Sequence, residues 1–135
     1  MAESPRLSGV LETSLYHSTG DGEEMERFYS DLLGLPKVAG WNDGRAFRLG
    51  AGVVLLFDRD RIEGRDEPIA AHGSQGPGHL CLVAEREAYG AWRERLDEAG
   101  VEITYEQEWP SGRRSLYFAD PAGNLLEIAD GDLWP

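Results

Sequence analysis

The stretch that decides the fold is Ser115–Asp130, SLYFADPAGNLLEIAD. It contains two apolar runs, Ser115–Phe118 and Asn124–Ile128, separated by Asp-Pro-Ala-Gly. Proline at the second position of a four-residue turn and glycine at the fourth are typical of a tight reversal of the chain. The sequence therefore predicts two strands joined by a turn, with the carboxylate of Glu127 inside the second strand.

The residues before this stretch predict the rest of a structural module. A strand is predicted at Gly78–Ala84 and a helix at Glu87–Ala99, whose apolar side chains fall on one face and which ends at Gly100. A further strand is predicted at Val101–Tyr105. With the two strands above, the second half of the chain follows the order strand, helix, strand, strand, strand.

The first half of the chain repeats that order. Its helix is predicted at Asp21–Leu33, where Asp21 and Glu24 form a capping box at the start and Gly34 ends the helix. Strands are predicted at Gly9–Tyr16, Lys37–Ala39, Arg45–Leu49 and Val53–Phe57. We expect an α+β protein with two βαβββ modules, residues 9–57 and 78–130, a connecting loop at 58–77 and tails at 1–8 and 131–135.

Superposing the two halves of the sequence compares the positions of three polar strand residues, Glu12, His79 and Glu127. Matching the glycines that end the helices places Glu12 over His79, to within one residue, and matching the glycines that open the last strands places Leu56 over Glu127. If a pseudo-twofold axis relates the modules, Glu12 and His79 meet near it with Glu127 beside them. One imidazole and two carboxylates suit Mg²⁺, Mn²⁺, Fe²⁺, Zn²⁺ or Ni²⁺. The apolar partner of Glu127 leaves coordination positions open, as a catalytic metal requires.

Composition limits the partners of the chain. It has 135 residues, with 13 Lys and Arg against 25 Asp and Glu, and a net charge of −12 that repels nucleic acid and anionic membranes. Its apolar runs are shorter than the roughly 20 residues of a membrane span, and residues 1–6 contain no apolar stretch. Cys81 has no second cysteine to pair with and is predicted to be a small buried residue. We expect a cytoplasmic protein that binds a small molecule, with no nucleic-acid or membrane partner.

Three segments resemble a known family. GHLCLVA at 78–84, FYSDLLGLP at 28–36 and the stretch quoted above are similar to the vicinal-oxygen-chelate superfamily, the glyoxalase, bleomycin-resistance and extradiol dioxygenase group. The resemblance covers residues 9–134 and implies two βαβββ modules that form a half-barrel cup around a divalent metal. It also implies a homodimer, and in some members a ligand from one chain completes the site of the other.

The same resemblance assigns the metal ligands. It implies Glu127 and His79 as two of them, and Glu12 as the third, on the first strand, where the family commonly has histidine. His17 is the rival for that place. Strand alternation puts His17 on the opposite face from Glu12, so its use as a ligand would require a bulge or a register shift in the first strand.

Four further residues are candidates for substrate chemistry. His72, in the Gly- and Pro-rich loop, is predicted as a proton carrier, a role that it shares with the ligand carboxylates. Arg114 is predicted to bind an anionic group of the substrate, because guanidinium presents a fixed fork of donors. Tyr117 and Trp109 are predicted to form an aromatic wall beside the substrate.

The function implied by the resemblance is that of a divalent-metal-dependent enzyme that chelates two adjacent oxygens of a small molecule. Glyoxalase-like lyase or isomerase chemistry, extradiol dioxygenase chemistry and addition to an epoxide antibiotic all stay open. The alternative is a metal-free protein that sequesters a cationic drug, as in the bleomycin-resistance branch, which an acidic chain suits. A scaffold without a small-molecule site is disfavoured, because it needs no imidazole and carboxylates at matched strand positions.

Overall fold

The computed structural model describes residues 5–63 and 72–135, in which the order strand, helix, strand, strand, strand occurs twice. The first module contains β1 (Glu12–His17), α1 (Gly22–Arg27) followed by a π-helical turn (Phe28–Leu32), β2 (Lys37–Trp41), β3 (Gly44–Leu49) and β4 (Gly52–Asp58). A short helix, α2 (Arg59–Glu63), follows β4. The second module contains β5 (His79–Val83), a 3₁₀ turn (Arg86–Ala88), α3 (Tyr89–Glu98), β6 (Tyr105–Glu108), β7 (Arg114–Ala119) and β8 (Leu125–Ala129).

Each module forms a four-stranded sheet of the same topology. The strand order is β1-β4-β3-β2 in the first sheet and β5-β8-β7-β6 in the second. The edge strands β1 and β5 pair in parallel with β4 and β8, and the other pairs are antiparallel. The predicted α+β class is confirmed. Within the described residues, no helix is long and apolar enough to cross a membrane.

The strand register corrects the superposition of the two halves by one residue. Glu12 pairs with Val53 and His79 pairs with Leu125, so the counterpart of Glu127 is Leu55 and not Leu56. The sequence alignment was wrong because the two glycines on which it rests have different roles. The first begins β4, whereas the second ends the turn two residues before β8. The counterpart of Glu127 is apolar in either case.

One apolar core joins the two modules. It takes Leu15 and Leu56 from the first sheet and Leu116 and Phe118 from the second. The helical segments contribute fully buried side chains to it, namely Met25, Tyr29, Tyr89 and Leu96. At the usual ~25 cal/mol per Å² of apolar surface, each such side chain stabilises the folded state by about 2 kcal/mol, so this shared core holds the modules together.

Each strand has one face in this core and the other face away from it. In β1, Leu15 is buried in the core, while Glu12 is exposed on the other face. In β8, Leu126 and Ile128 lie in the core, so Glu127 between them points to the other face. The predicted metal ligands therefore lie on sheet faces that are directed away from the core between the modules.

Local details differ from the sequence predictions at three places. The Asp21 side chain makes no capping hydrogen bond, because its backbone is already helical at φ −90° and ψ −5°. The strand predicted at Val101–Tyr105 begins only at Tyr105. Val101 and Ile103 pack on the core, and Thr104 donates its amide to the Tyr117 carbonyl of β7 just before the strand begins. The helix α2 falls within the predicted connecting loop, and residues 64–71 of that loop lie outside the described residues.

A buried hydrogen-bond network fixes the turn between β7 and β8. The Gly123 amide donates to the Asp120 carbonyl at 3.0 Å, and Gly123 has φ +87°, which confirms the predicted turn. The Asp120 carboxylate accepts from the backbone amides of Ala122 and Asn124 at 2.9 and 3.0 Å. Its other oxygen accepts from the Tyr29 hydroxyl and the Asn124 amide group, both at 2.9 Å. The hydrogen bond from Tyr29 ties the helix of the first module to the closing turn of the second.

Replacing Tyr29 with Phe is expected to destabilise the protein by about 1–3 kcal/mol, because the buried Asp120 carboxylate loses a donor that water cannot replace. Urea unfolding followed by far-UV circular dichroism measures the change. The matched control is Tyr105→Phe, since Tyr105 is 58% exposed and its hydroxyl donates to the Gln107 side chain at the surface. Equal stabilities of the two variants would contradict this role for the Tyr29 hydroxyl.

Candidate metal centre

His79 and Glu127 are the predicted ligands that the structure brings together. His79 begins β5, and Glu127 lies on the adjacent parallel strand β8, opposite Cys81. The His79 Nε2 atom is 3.2 Å from Glu127 Oε1. The Glu127 side chain is 6% exposed and the His79 side chain 49% exposed. The pair therefore consists of a carboxylate fixed in the sheet and an imidazole that solvent reaches.

The other nitrogen of His79 determines what its Nε2 can do. His79 Nδ1 lies 2.9 Å from the backbone carbonyl of Leu125. A carbonyl oxygen only accepts, so Nδ1 carries the proton, and in the neutral ring Nε2 presents a lone pair. That lone pair faces Glu127 Oε1, which is also an acceptor. Two acceptors 3.2 Å apart are satisfied by a proton between them, on Nε2 or on the carboxyl group, or by a metal ion.

The second oxygen of the Glu127 carboxylate supports a cation site. Glu127 Oε2 is buried and has no hydrogen-bond partner among the described residues. A buried carboxylate oxygen without a donor costs free energy unless a cation satisfies it. The arrangement of His79 and Glu127 thus fits a divalent metal that accepts nitrogen and oxygen ligands.

Glu12 does not complete this site within one chain. It lies on β1 of the other sheet, where it pairs with Val53 and is exposed. In residues 5–63 and 72–135, no three His, Cys, Asp or Glu side chains form a group able to hold a metal ion. The expectation that a pseudo-twofold axis gathers Glu12, His79 and Glu127 inside a single chain is therefore not met, because both sheets turn their ligand faces away from the shared core.

His17 lies on the opposite face of β1 from Glu12, as strand alternation requires. It is 2% exposed, and its Nδ1 lies 2.9 Å from the carbonyl of Ser18. The first strand pairs with β4 without a break from Glu12 to His17. Neither a bulge nor a register shift brings His17 to the face that carries Glu12.

His72 is held against the first module. Its Nδ1 is hydrogen-bonded to the Tyr16 hydroxyl, and its ring packs edge-on against Phe57 at 4.7 Å between centroids. Tyr16 shares the Glu12 face of β1 but lies four residues further along the strand, about 13 Å away. No contact joins His72 to His79 or Glu127, so its predicted role as a proton carrier gains no support from the geometry of one chain.

Arg114 lies on the wrong face of β7 to contact a ligand of His79 and Glu127. Its guanidinium carbon sits 4.3 Å from the ring centroid of Tyr89, and its Nε is 3.6 Å from the buried Asp130 carboxylate. Because Arg114 and Tyr117 are separated by an odd number of residues, they point to opposite faces. Arg114 packs against α3 in this structure, and its role in substrate binding stays a prediction.

Tyr117 and Trp109 lie on the face of the candidate centre. Tyr117 pairs directly with Glu127 across β7 and β8, and its ring is 6.4 Å from that of His79. Trp109 Nε1 donates to Ser115 Oγ at 3.1 Å, and Ser115 shares the Tyr117 face. Tyr105, which the sequence analysis missed, adds a third ring at 5.9 Å from Tyr117. The alternation of side chains along β6 puts Tyr105 on this face. The sequence did not reveal this, because it predicted the strand to begin at Val101, four residues before its actual start.

Cys81 is exposed and not buried as predicted. It lies opposite Glu127 in the register of β5 and β8, on the face of the candidate centre. Partial burial of its thiol, together with the negative charge of Glu127, raises the pKa of Cys81 to about 11. At neutral pH the thiol is therefore protonated and a poor nucleophile.

Two βαβββ modules of the same sheet topology define the class of protein to which this chain belongs. The model of the glyoxalase/bleomycin resistance protein/dioxygenase superfamily matches residues 16–128. The glutathione transferase FosA of Serratia marcescens is 34% identical over 124 residues, which cover 89% of this chain and 82% of FosA. The chain belongs to this superfamily.

Solved structures agree with the assignment. The lactoylglutathione lyase of Agrobacterium tumefaciens matches with a TM-score of 0.89 at 34% identity, covering 96% of this chain and 98% of that chain. The fosfomycin resistance protein FosX of Listeria monocytogenes matches with a TM-score of 0.71 at 19% identity, covering 95% of this chain and 94% of that chain. That FosX structure is a complex with Mn(II) and a dihydroxypropylphosphonic acid. The names of the two relatives at 34% identity, a transferase and a lyase, are names of enzymes.

Glu127→Gln is expected to speed alkylation of Cys81, because removing the negative charge lowers the pKa of the thiol. Below that pKa, each unit of lowering raises the thiolate fraction about tenfold. Iodoacetamide labelling between pH 7 and 10 in the presence of a chelator, followed by mass spectrometry, gives the rate at the one cysteine. Glu106→Gln, which removes a carboxylate from β6, should leave the rate unchanged. Identical pH profiles for wild type and Glu127→Gln would contradict the coupling.

Proposed function

We propose that the protein is a divalent-metal-dependent enzyme that acts on a small molecule with two adjacent oxygens. The observation that carries the proposal is the pair of acceptors at His79 and Glu127, 3.2 Å apart, one oriented by the Leu125 carbonyl and the other held in the sheet. When bound, a divalent ion supplies a Lewis acid that stabilises negative charge on the substrate oxygens.

The residues around the pair have separate proposed tasks. His79 and Glu127 hold the ion, and the hydrogen bond to Leu125 keeps the imidazole in the tautomer that can do so. Glu12 provides the third ligand and is the carboxylate exposed enough to exchange a proton with the substrate. The rings of Tyr117 and Trp109 form an apolar wall that excludes water from one side of the substrate.

The third ligand requires a second copy of the chain. Glu12 and the His79–Glu127 pair lie on faces directed away from the shared core, so a partner chain can present its Glu12 to them without unfolding either module. An apolar groove of about 330 Å³ runs between the edge strands β1 and β5 and is lined by Val10, Leu11 and Val83, all more than half exposed. Burial of such side chains favours association. We therefore propose a homodimer whose two sites each draw on both chains.

The names of the relatives narrow the substrates to test. Both relatives at 34% identity, the FosA transferase and the lactoylglutathione lyase, have glutathione in their names. We propose glutathione adducts and epoxides opened by a thiol as the first substrates. Extradiol dioxygenase chemistry is less favoured, because a first-strand glutamate replaces one of the two histidines that accompany a carboxylate in non-haem Fe²⁺ oxygenases.

Metal binding tests the proposal directly. Chelator-treated protein should bind close to one ion per chain when Mn²⁺, Zn²⁺, Ni²⁺, Fe²⁺ or Mg²⁺ is restored singly, with a rise in melting temperature. His79→Ala and Glu127→Gln should each weaken binding of the preferred ion at least about tenfold, because each variant removes one of a small number of ligands. Glu106→Gln, in the same sheet but away from the pair, is the control. If no ion binds, or if the variants bind ions as tightly as the wild type does, the metal-dependent enzyme is rejected in favour of the metal-free drug-binding protein.

Mixed dimers test whether the site draws on both chains. Co-expressed Glu12→Gln and His79→Ala chains with different tags yield heterodimers in which one site carries both changes and the other carries none. Such heterodimers should bind one ion with wild-type affinity, whereas each variant homodimer binds none at that affinity. If every site lies within one chain, the heterodimer has no intact site and binds no ion tightly.

A further inference from the structure

A cationic side chain, Arg48, lies on the outward face of the first sheet. Phe47 of β3 is fully buried in the core between the modules, so the next residue, Arg48, points to the other face, which also carries Glu12. Strand pairing places Arg48 directly opposite Val53 of β4, and Val53 directly opposite Glu12 of β1. Glu12, Val53 and Arg48 therefore form one row across three neighbouring strands.

The guanidinium of Arg48 has no task within the described chain. Arg48 is exposed, and its side chain makes no hydrogen bond, ion pair or cation–π contact with any residue in 5–63 or 72–135. By contrast, Arg45 on the same strand donates to Glu26 at 2.7 Å and so stabilises the fold. A guanidinium whose fork of N–H donors is left to solvent can bind a carboxylate or a phosphonate of another molecule.

The spacing of this row places Arg48 within reach of a molecule bound beside Glu12. Neighbouring strands lie about 4.8 Å apart, so the backbones of Glu12 and Arg48 are about 10 Å apart. Val53, between them, has a short apolar side chain that packs low against the sheet with Leu55 and Phe57. A long guanidinium side chain can therefore extend above Val53 toward a ligand whose other end lies at Glu12.

No other strand cation in the described part of the chain lies on an outward face. Lys37 and Arg45 are paired with Glu26 of α1, on the core side of the first sheet. Arg114 lies on the face of β7 that packs against α3. The net charge of −12 repels anions in general, so an anionic ligand needs a local positive group. Arg48 is the strand residue that supplies one on the Glu12 face.

We propose that Arg48 binds an anionic group of the substrate, a carboxylate or a phosphonate, while adjacent oxygens of the same molecule lie at the metal ion. The proposal rests on the proposed function above, since the partner chain must present Glu12 and Arg48 together to the His79–Glu127 pair. It narrows the substrates to molecules that carry both a chelating pair of oxygens and a separate acidic group. Glutathione adducts meet this requirement, because glutathione carries carboxylates.

A matched pair of chelators tests the proposal by calorimetry on the Mn²⁺-loaded protein. Butyrohydroxamate and succinic acid monohydroxamate present the same pair of adjacent oxygens and differ only in a terminal methyl or carboxylate group. The carboxylate compound should bind at least about tenfold more tightly, because the guanidinium adds a charge-assisted contact. Phosphonopropionohydroxamate, measured in the same way, distinguishes the two anions, since the anion that Arg48 binds loses more affinity when Arg48 is replaced.

Variants assign the preference to one side chain. Arg48→Gln should bring the affinities of the acidic and the neutral chelator to within about twofold of each other, and Arg48→Lys should keep part of the difference. Arg27→Gln, which removes an exposed arginine from α1, should keep all of it. The proposal is overturned if the wild type binds acidic and neutral chelators equally, if Arg48→Gln keeps the preference, or if Arg27→Gln loses it.

A Mn²⁺ titration before any chelator is added separates this test from that of the metal site. If Mn²⁺ does not bind, the proposed function and the role of Arg48 are both rejected. If Mn²⁺ and butyrohydroxamate bind but the acidic chelators bind no more tightly, the metal site stands and only the role of Arg48 is rejected.

Discussion

The structure depends on the buried hydrogen bonds of Asp120 and Asn124. Asp120 accepts from the Tyr29 hydroxyl of the first module, and Asn124 donates to the Tyr16 carbonyl of β1 and accepts from the Gly78 amide at the start of β5. Two side chains in one turn therefore connect the first helical segment, the first strand of each module and the last strand pair. Polar groups buried at such a junction are stabilising only in the one arrangement that satisfies all of them.

That junction also positions the candidate centre. His79 directly follows Gly78, and Glu127 lies three residues after Asn124. Because Gly78 and Asn124 are hydrogen-bonded to each other, both predicted ligands lie close to one fixed contact, on neighbouring parallel strands. Their separation of 3.2 Å follows from the strand register rather than from a flexible loop. A site built on strands is held more rigidly than one built on loops, and rigid placement is what a small set of metal ligands requires.

The alternation of side chains along each strand separates the residues that form the core from the predicted ligands. In both sheets, one face supplies the core that joins the modules, and the other face carries the predicted ligands. In β1, this alternation separates two polar residues of one strand, because Glu12 lies exposed on the outward face and His17 is buried on the opposite face. Two residues that compete for one role in the sequence thus lie on opposite faces of one strand.

The sequence by itself determined the repeated βαβββ order, the closing turn and the pairing of His79 with Glu127. These depend on local periodicity, on proline and glycine at fixed turn positions, and on strands of one half that lie side by side. Only the tertiary structure decided which residue of β4 corresponds to Glu127 of β8 in the repeat, the packing of Arg114 on Tyr89 and the separation of Glu12 from His79 and Glu127. The physical reason is that local patterns fix which face a side chain occupies within its own sheet, whereas the packing of one sheet against another depends on the whole core that forms between them.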